Sequence, residues 1–161
     1  MRPSARWGQR APPSKQPARR IALAPARRAP QPRRPFPAVF RTFLKTKIHR
    51  AVITAADPDY EGSITIDRAA CRAAGLLEFE QVDVLDIANG ARYTTYVIYG
   101  APGEFQVNGA AARLVTPGDL IIVLAYCRLA EAEVAAHRAR IVLMGPGNTI
   151  AATQERPVTS P

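Results

Sequence analysis

Gly62 and Ser63, within the run Tyr60-Glu61-Gly62-Ser63, carry the two groups that an N-to-O acyl shift needs. Ser63 places a hydroxyl one residue past the Gly62 carbonyl. Gly62 has no Cβ, so its carbonyl can be held in a conformation most residues avoid and can be approached closely. Attack by the hydroxyl turns the peptide bond into an ester. Elimination across Ser63 then leaves a dehydroalanine, and hydrolysis caps the new chain end with a pyruvoyl group. That electrophilic carbonyl can do the Schiff-base work of a bound aldehyde cofactor. Read alone, a Gly-Ser pair is more often a turn. The surrounding residues have to decide.

Other chemistry is sparse. Cys71 and Cys127 fit no metal spacing, and two thiols are too few for a disulfide scaffold. A reducing compartment, the cytoplasm, is the expectation. With only His49 and His137, a multi-histidine metal site is not expected. No P-loop or dinucleotide-binding glycine pattern is present. No apolar run reaches the ~18 residues of a membrane span, and no secretory signal is read at the N-terminus.

The elements that must position Gly62 and Ser63 read as short strands. Residues 48–54 are rich in β-branched residues, and Asp57-Pro58-Asp59 is a turn signal. A strand over 64–66 follows, then a helix over 68–74 capped by Asp67 and stopped by Gly75. Cys71 lies inside that helix as a small packing residue. Strands over 82–87 and 92–99 flank Asn89-Gly90, a two-residue hairpin signal. Period 2 puts Arg92, Thr94 and Tyr96 on one face, and Tyr93, Thr95 and Val97 on the other. Turns over 100–104 and 116–119 bracket Asn108-Gly109-Ala110-Ala111-Ala112. The most apolar strand spans 120–126. A helix is expected over 130–139, a last strand over 141–144, and loose chain over 145–161. Short strands, frequent Gly and Pro turns and small helices make an antiparallel or mixed β barrel.

Charge is unevenly placed. Residues 1–38 hold ten of the 22 Lys and Arg, none of the 13 Asp and Glu, and nine of the 15 prolines. Such a segment makes neither helix nor sheet ladders and is read as a disordered basic extension. It could touch polyanions nonspecifically; as a transit peptide its prolines spoil an amphipathic helix. It also reads as a start-site artefact, because Val39 can be encoded by an alternative start codon. Residues 39–161 carry near-balanced charge, so no specific nucleic-acid groove is expected there.

Several spaced motifs then resemble the pyruvoyl-dependent aspartate 1-decarboxylase family. They are Leu44-Lys45-Thr46-Lys47-Ile48-His49-Arg50, Tyr60-Glu61-Gly62-Ser63, Asn89-Gly90 with Arg92 to Tyr96, Val107 to Arg113, and Pro117-Gly118-Asp119. The likeness runs from about Phe40 to Thr153, and the extension before Val39 has no counterpart in it. It implies a mainly β fold, a double-psi β barrel with short helices, assembled as a homotetramer. It implies cleavage between Gly62 and Ser63 into a β chain ending at 62 and an α chain over 63–161. The reaction would be L-aspartate to β-alanine and CO2, feeding pantothenate and coenzyme A synthesis. The cofactor would be the pyruvoyl group derived from Ser63, without metal; a maturation factor is left open.

The resemblance also implies residue roles. Ser63 forms the Schiff base, and Tyr96 donates the proton that replaces CO2. Gly62, Ser63 and Thr95 take part in processing. Thr95, Gly109, Ala110, Ala111, Lys47 and Arg92 meet the substrate, Arg92 as a bidentate carboxylate clamp. Asn108 helps hold the reacting carbonyl, and His49 and Tyr60 lie near the site. Plainer readings stand beside these: a cross-strand aromatic for Tyr96, solvated strand charges for Lys47 and Arg92, close barrel packing for the alanines. Leu85 departs from the family, where some relatives carry tryptophan, and the 96–108 loop is shorter than in some of them. Two other readings are a non-enzymatic barrel with a polyanion-binding tail and a pyruvoyl decarboxylase for another amino acid.

Overall fold

A computed structural model describes residues 39–159, so the basic extension over 1–38 lies outside the described residues. The chain runs β1 (Phe40–Val52), β2 (Ala55–Asp57), β3 (Ser63–Asp67), α1 (Arg68–Ala74), β4 (Gln81–Asp86), β5 (Arg92–Gly100) and β6 (Phe105–Asn108). A 3-10 turn (Gly109–Leu114) leads to β7 (Leu120–Ala130), α2 (Glu131–Val134), β8 (Arg138–Met144) and β9 (Ile150–Pro157). The strands pair in the order β2-β6-β3-β5-β4-β7-β1-β8-β9. Parallel pairs β1–β8, β2–β6 and β3–β5 are interleaved with antiparallel ones. The architecture is mainly β with few short helices, that of a double-psi barrel.

Alternation builds the core. Ile121, Val123 and Ala125 of β7 point inward and are buried, as do Val82 and Val84 of β4 and Ile64 and Ile66 of β3. Phe105 is the largest fully buried side chain. Between β1 and β2 the backbone links two parts of the barrel: Ile53 N–H donates to the Asp119 carbonyl (2.9 Å) and Thr54 N–H to that of Phe105 (2.8 Å).

Asp67 caps α1 as expected, its Oδ1 accepting from the Ala69 N–H at 2.6 Å, and Gly75 ends the helix at φ 69°. Cys71 is buried, and burial pushes its thiol up to about 12, in keeping with a packing residue.

Four expectations are corrected. β1 is far longer than 48–54, because bulges after Leu44 and His49, with Arg50 at φ 65°, keep a 13-residue strand wrapped on the barrel. The Asn89-Gly90 connection is not a two-residue hairpin. Strand pairing stops at Leu85↔Arg92, and the Asp86 carboxylate accepts from the Ala88 N–H at 2.7 Å to build a wider turn. The alanine-rich 130–139 stretch yields only the four-residue α2, because β8 must start at Arg138 to pair with β9 and, from Arg140, with β1. Residues 150–157 are a strand, not loose chain. As an edge strand paired only with β8, β9 needs no apolar alternation and shows none.

Asn148, unremarked in the sequence, clamps this end of the barrel. Its Oδ1 accepts from the Val52 N–H at 2.7 Å, and its Nδ2 donates to the carbonyls of Val52 (2.8 Å) and Gly103 (2.9 Å). It is buried and sits at φ 56°, a conformation asparagine tolerates better than most residues. Asn148→Ala strands three backbone groups at once. A loss of about 2–4 kcal/mol is expected by denaturant titration, with the fold retained.

Candidate active site

Ser63 is the first residue of β3 and lies opposite Asn108 of β6. Both are buried to 1% exposure. The peptide between Gly62 and Ser63 is bounded by two positive φ values, 96° at Gly62 and 150° at Ser63. Glycine adopts such a value freely; serine does so at a cost on the order of 1–3 kcal/mol. What holds Ser63 there is visible on both sides. Gly109, at φ 70°, lies so close that a Cβ on it would stand 2.7 Å from the Gly62 Cα and 2.9 Å from the Gly62 nitrogen. Beyond Ser63, β3 pairs with β6 and β5 together.

The Ser63 hydroxyl is held as well. Asn108 Nδ2 donates to Ser63 Oγ at 2.8 Å and to Thr65 Oγ1 at 3.0 Å. Its Oδ1 accepts from Gln106 Nε2 at 2.7 Å. Both ends of the carboxamide are occupied, so it is locked. The resemblance aimed Asn108 at the reacting carbonyl; here its amide rests on the hydroxyl oxygen. Among the described residues the Ser63 hydroxyl donates to no acceptor. A Cβ built on Gly62 would meet nothing within 4 Å, so that side of the bond is open.

Tyr96 is in register with this centre across β3 and β5. The parallel β3–β5 register opens at Ile64↔Val97, one step from Ser63 and Tyr96. Tyr96 is 37% exposed and its ring sits 6.2 Å from that of the exposed Phe79. Alternation does separate Thr95 from Tyr96, yet both line an open depression of about 440 Å³ with Phe79, Gln81 and Thr94. Thr95 makes no side-chain hydrogen bond to Gly62 or Ser63 among the described residues.

Arg92 shares the outer face of β5 with Thr94 and Tyr96, and Lys47 and His49 lie across that face on β1. Cross-strand partners share a face. The rows Lys47–Leu124–Asp83–Thr94 and His49–Ile122–Leu85–Arg92 therefore run over one outer face of β1, β7, β4 and β5. Three strand spacings, roughly 14 Å, separate Lys47 from Thr94. No hydrogen bond among the described residues joins this face to Ser63. The Leu85 departure falls directly beside Arg92. Arg92 Nη2 donates to Asp83 Oδ2 at 2.9 Å and to the Tyr126 hydroxyl at 3.4 Å. The Thr94 hydroxyl, and then Arg92, hold the Asp83 carboxyl below the usual carboxylate range. Burial, followed by the charges of Lys47 and Arg50, lowers the His49 pKa and favours the neutral ring. Tyr60 is exposed, with its carbonyl against Gly109. Ala110 is exposed and Ala111 half-buried at the start of the 3-10 turn.

Sequence reading missed Gln106, Thr65 and Asp83. Gln106 stands two residues before Asn108, on the same strand face, which is the one signal that pointed to it. Asp83 becomes visible only once β4 and β5 are placed in register. Among the described residues no cluster of three or more His, Cys, Asp or Glu could hold a metal ion, and no helix is long and apolar enough to cross a membrane.

The Gly62–Gly109 contact yields a direct test. Gly109→Ala is expected to lose about 1–3 kcal/mol in denaturant and to shift the amide resonances of residues 60–63. An unchanged spectrum would show that the two backbones do not meet.

The model of one protein family, described as aspartate decarboxylase, matches residues 39–151. A protein from Caulobacter vibrioides named aspartate 1-decarboxylase is 53% identical over 111 residues, which cover 68% of this chain and 94% of that relative. One of the same name from Methylibium petroleiphilum is 48% identical over 112 residues, 68% of this chain and 93% of its own. Another from Corynebacterium efficiens is 51% identical over 116 residues, 71% of this chain and 85% of its own. The match takes in β1 to β8 and the whole Ser63 centre, and the chain belongs to the aspartate decarboxylase family.

Proposed function

We propose that this chain decarboxylates L-aspartate to β-alanine and CO2 after cleaving itself between Gly62 and Ser63. The observation that carries the reading is the buried Ser63 at φ 150°, its hydroxyl oxygen 2.8 Å from Asn108 Nδ2. A serine in an unfavourable backbone conformation, fixed at the glycine it would attack, suits an acyl shift.

Ser63 Oγ adds to the Gly62 carbonyl carbon, and the C–N bond breaks to leave an ester and the free Ser63 amine. Loss of the Ser63 Cα proton expels the Gly62 carboxylate. Water then replaces the nitrogen, releasing ammonia. The locked Asn108 amide stabilises the hydroxyl oxygen as it gives up its proton. The open side of Gly62 admits the groups that remove protons and deliver water. These residues fit a pyruvoyl group at position 63, which supplies an electrophilic carbonyl that condenses with the substrate amine and accepts the electrons left when CO2 departs.

The chain's own side chains do the rest. Arg92 and Lys47 bind the two carboxylates of aspartate, with Arg92 offering a planar fork and Lys47 a point charge. Tyr96 lies one register step from the reacting residue. Its phenol O–H donates to the carbon that lost CO2. Thr95 assists processing from the same strand edge. Gly109, Ala110 and Ala111 present backbone groups, and His49 and Tyr60 flank them. Because no hydrogen bond among the described residues ties Lys47 or Arg92 to Ser63, a homotetramer that sets one chain's outer face against another's centre fits the geometry. Exposed Leu77, Phe79 and Tyr96 give such contacts an apolar surface. β-Alanine formed this way would serve pantothenate and coenzyme A synthesis in the cytoplasm.

Ser63→Ala is expected to fold, stay in one piece and release no CO2 from aspartate; decarboxylation by that variant would end the reading. Tyr96→Phe should still be cleaved but lose about 10²–10⁴-fold in turnover. Unchanged turnover would assign the proton to another group.

A further inference from the structure

On the reading that Arg92 binds a substrate carboxylate, we infer that Asp83 is the positioning residue that sets the Arg92 guanidinium for it. Asp83 sits on β4 directly opposite Thr94. Its Oδ1 accepts from Thr94 Oγ1 at 2.7 Å and its Oδ2 from Arg92 Nη2 at 2.9 Å. The carboxylate is thus tied at both oxygens. Its side chain is 20% exposed and that of Arg92 53% exposed, so a sheltered anchor holds a reaching arm.

The donor count leaves room for a ligand. A guanidinium has five N–H groups. Asp83 and Tyr126 both take theirs from Nη2. Nε and Nη1 make no hydrogen bond among the described residues; they open on different edges of the plane, and each leaves an N–H for an incoming carboxylate oxygen. An arginine held this way loses less freedom on binding than one sweeping through solvent. Asp83 also lies on the same cross-strand row as Lys47, with Leu124 between them. The resident carboxylate therefore faces the same outer surface as both cations expected to bind aspartate. A cross-strand ion pair that served only the fold would contribute little and would leave substrate binding alone.

The test uses full-length processed protein, checked first for complete cleavage. KM and kcat for aspartate are measured together with the inhibition constant of succinate, a dicarboxylate without the amine. Asp83→Ala is expected to raise KM and the succinate constant about tenfold with a smaller fall in kcat. Asp83→Asn keeps an oxygen acceptor and should recover part of the loss. In an Arg92→Ala background, Asp83→Ala should add nothing. Should Asp83→Ala fail to fold, Thr94→Val removes one of the two ties and should raise KM in the same sense. Unchanged or lower KM in these variants, with Arg92→Ala still raising it, would overturn the role of Asp83. Arg92→Ala without effect on either constant would remove the substrate role of Arg92, and the inference with it. Absence of CO2 release from the unmutated chain would instead be a failure of the decarboxylase reading.

Discussion

Gly62 and Gly109 meet backbone to backbone, at a separation no Cβ could occupy. That contact fixes how the loop over 58–62 enters β3 and how β6 turns into its 3-10 segment. Ser63 is left buried between the two, opposite Asn108. Holding a serine at φ 150° costs on the order of 1–3 kcal/mol. Ile64 and Ile66, both fully buried, each contribute about 1.5–3 kcal/mol in return, and β3 is paired on both edges. The strand therefore outweighs the strain, and the strain stays at the bond the reaction is proposed to break.

The barrel divides its tasks between two surfaces. The Ser63 side chain is buried and locked among backbone and neutral amides. The face carrying Lys47, Arg92 and Thr94 is charged and wet, and its order comes from strand register and from Asp83. A reactive peptide needs the first environment, since a solvated serine would relax. A dicarboxylate needs the second, since its charges must exchange water for guanidinium and ammonium donors. No hydrogen bond among the described residues links the two, which gives the proposed assembly a chemical reason.

Much of the barrel was legible because period-2 burial is strong in β3, β4 and β7, and because Asp67 and Gly75 announce both ends of α1. The failures share a cause. β9 and the long β1 are defined by their partners rather than by their own alternation, and the alanines of 130–139 favour a helix that register with β9 and β1 forbids. In the site, Ser63, Asn108 and Gly109 were named from motifs that match a family. Their meeting point was not, because a contact between two glycines leaves no pattern in composition or spacing. Gln106 and Asp83 act through neighbours on adjacent strands or faces and stay invisible until the register is known.

Breakage of the chain at Gly62-Ser63 would be read from an intact mass, taken under denaturing conditions on protein from its own host. Two fragments that meet between Gly62 and Ser63 are expected. The larger should be lighter by one ammonia than a chain beginning with serine, because the Ser63 nitrogen has been lost. One uncut mass, or two fragments with an ordinary serine at the new end, would show that no pyruvoyl group forms at position 63.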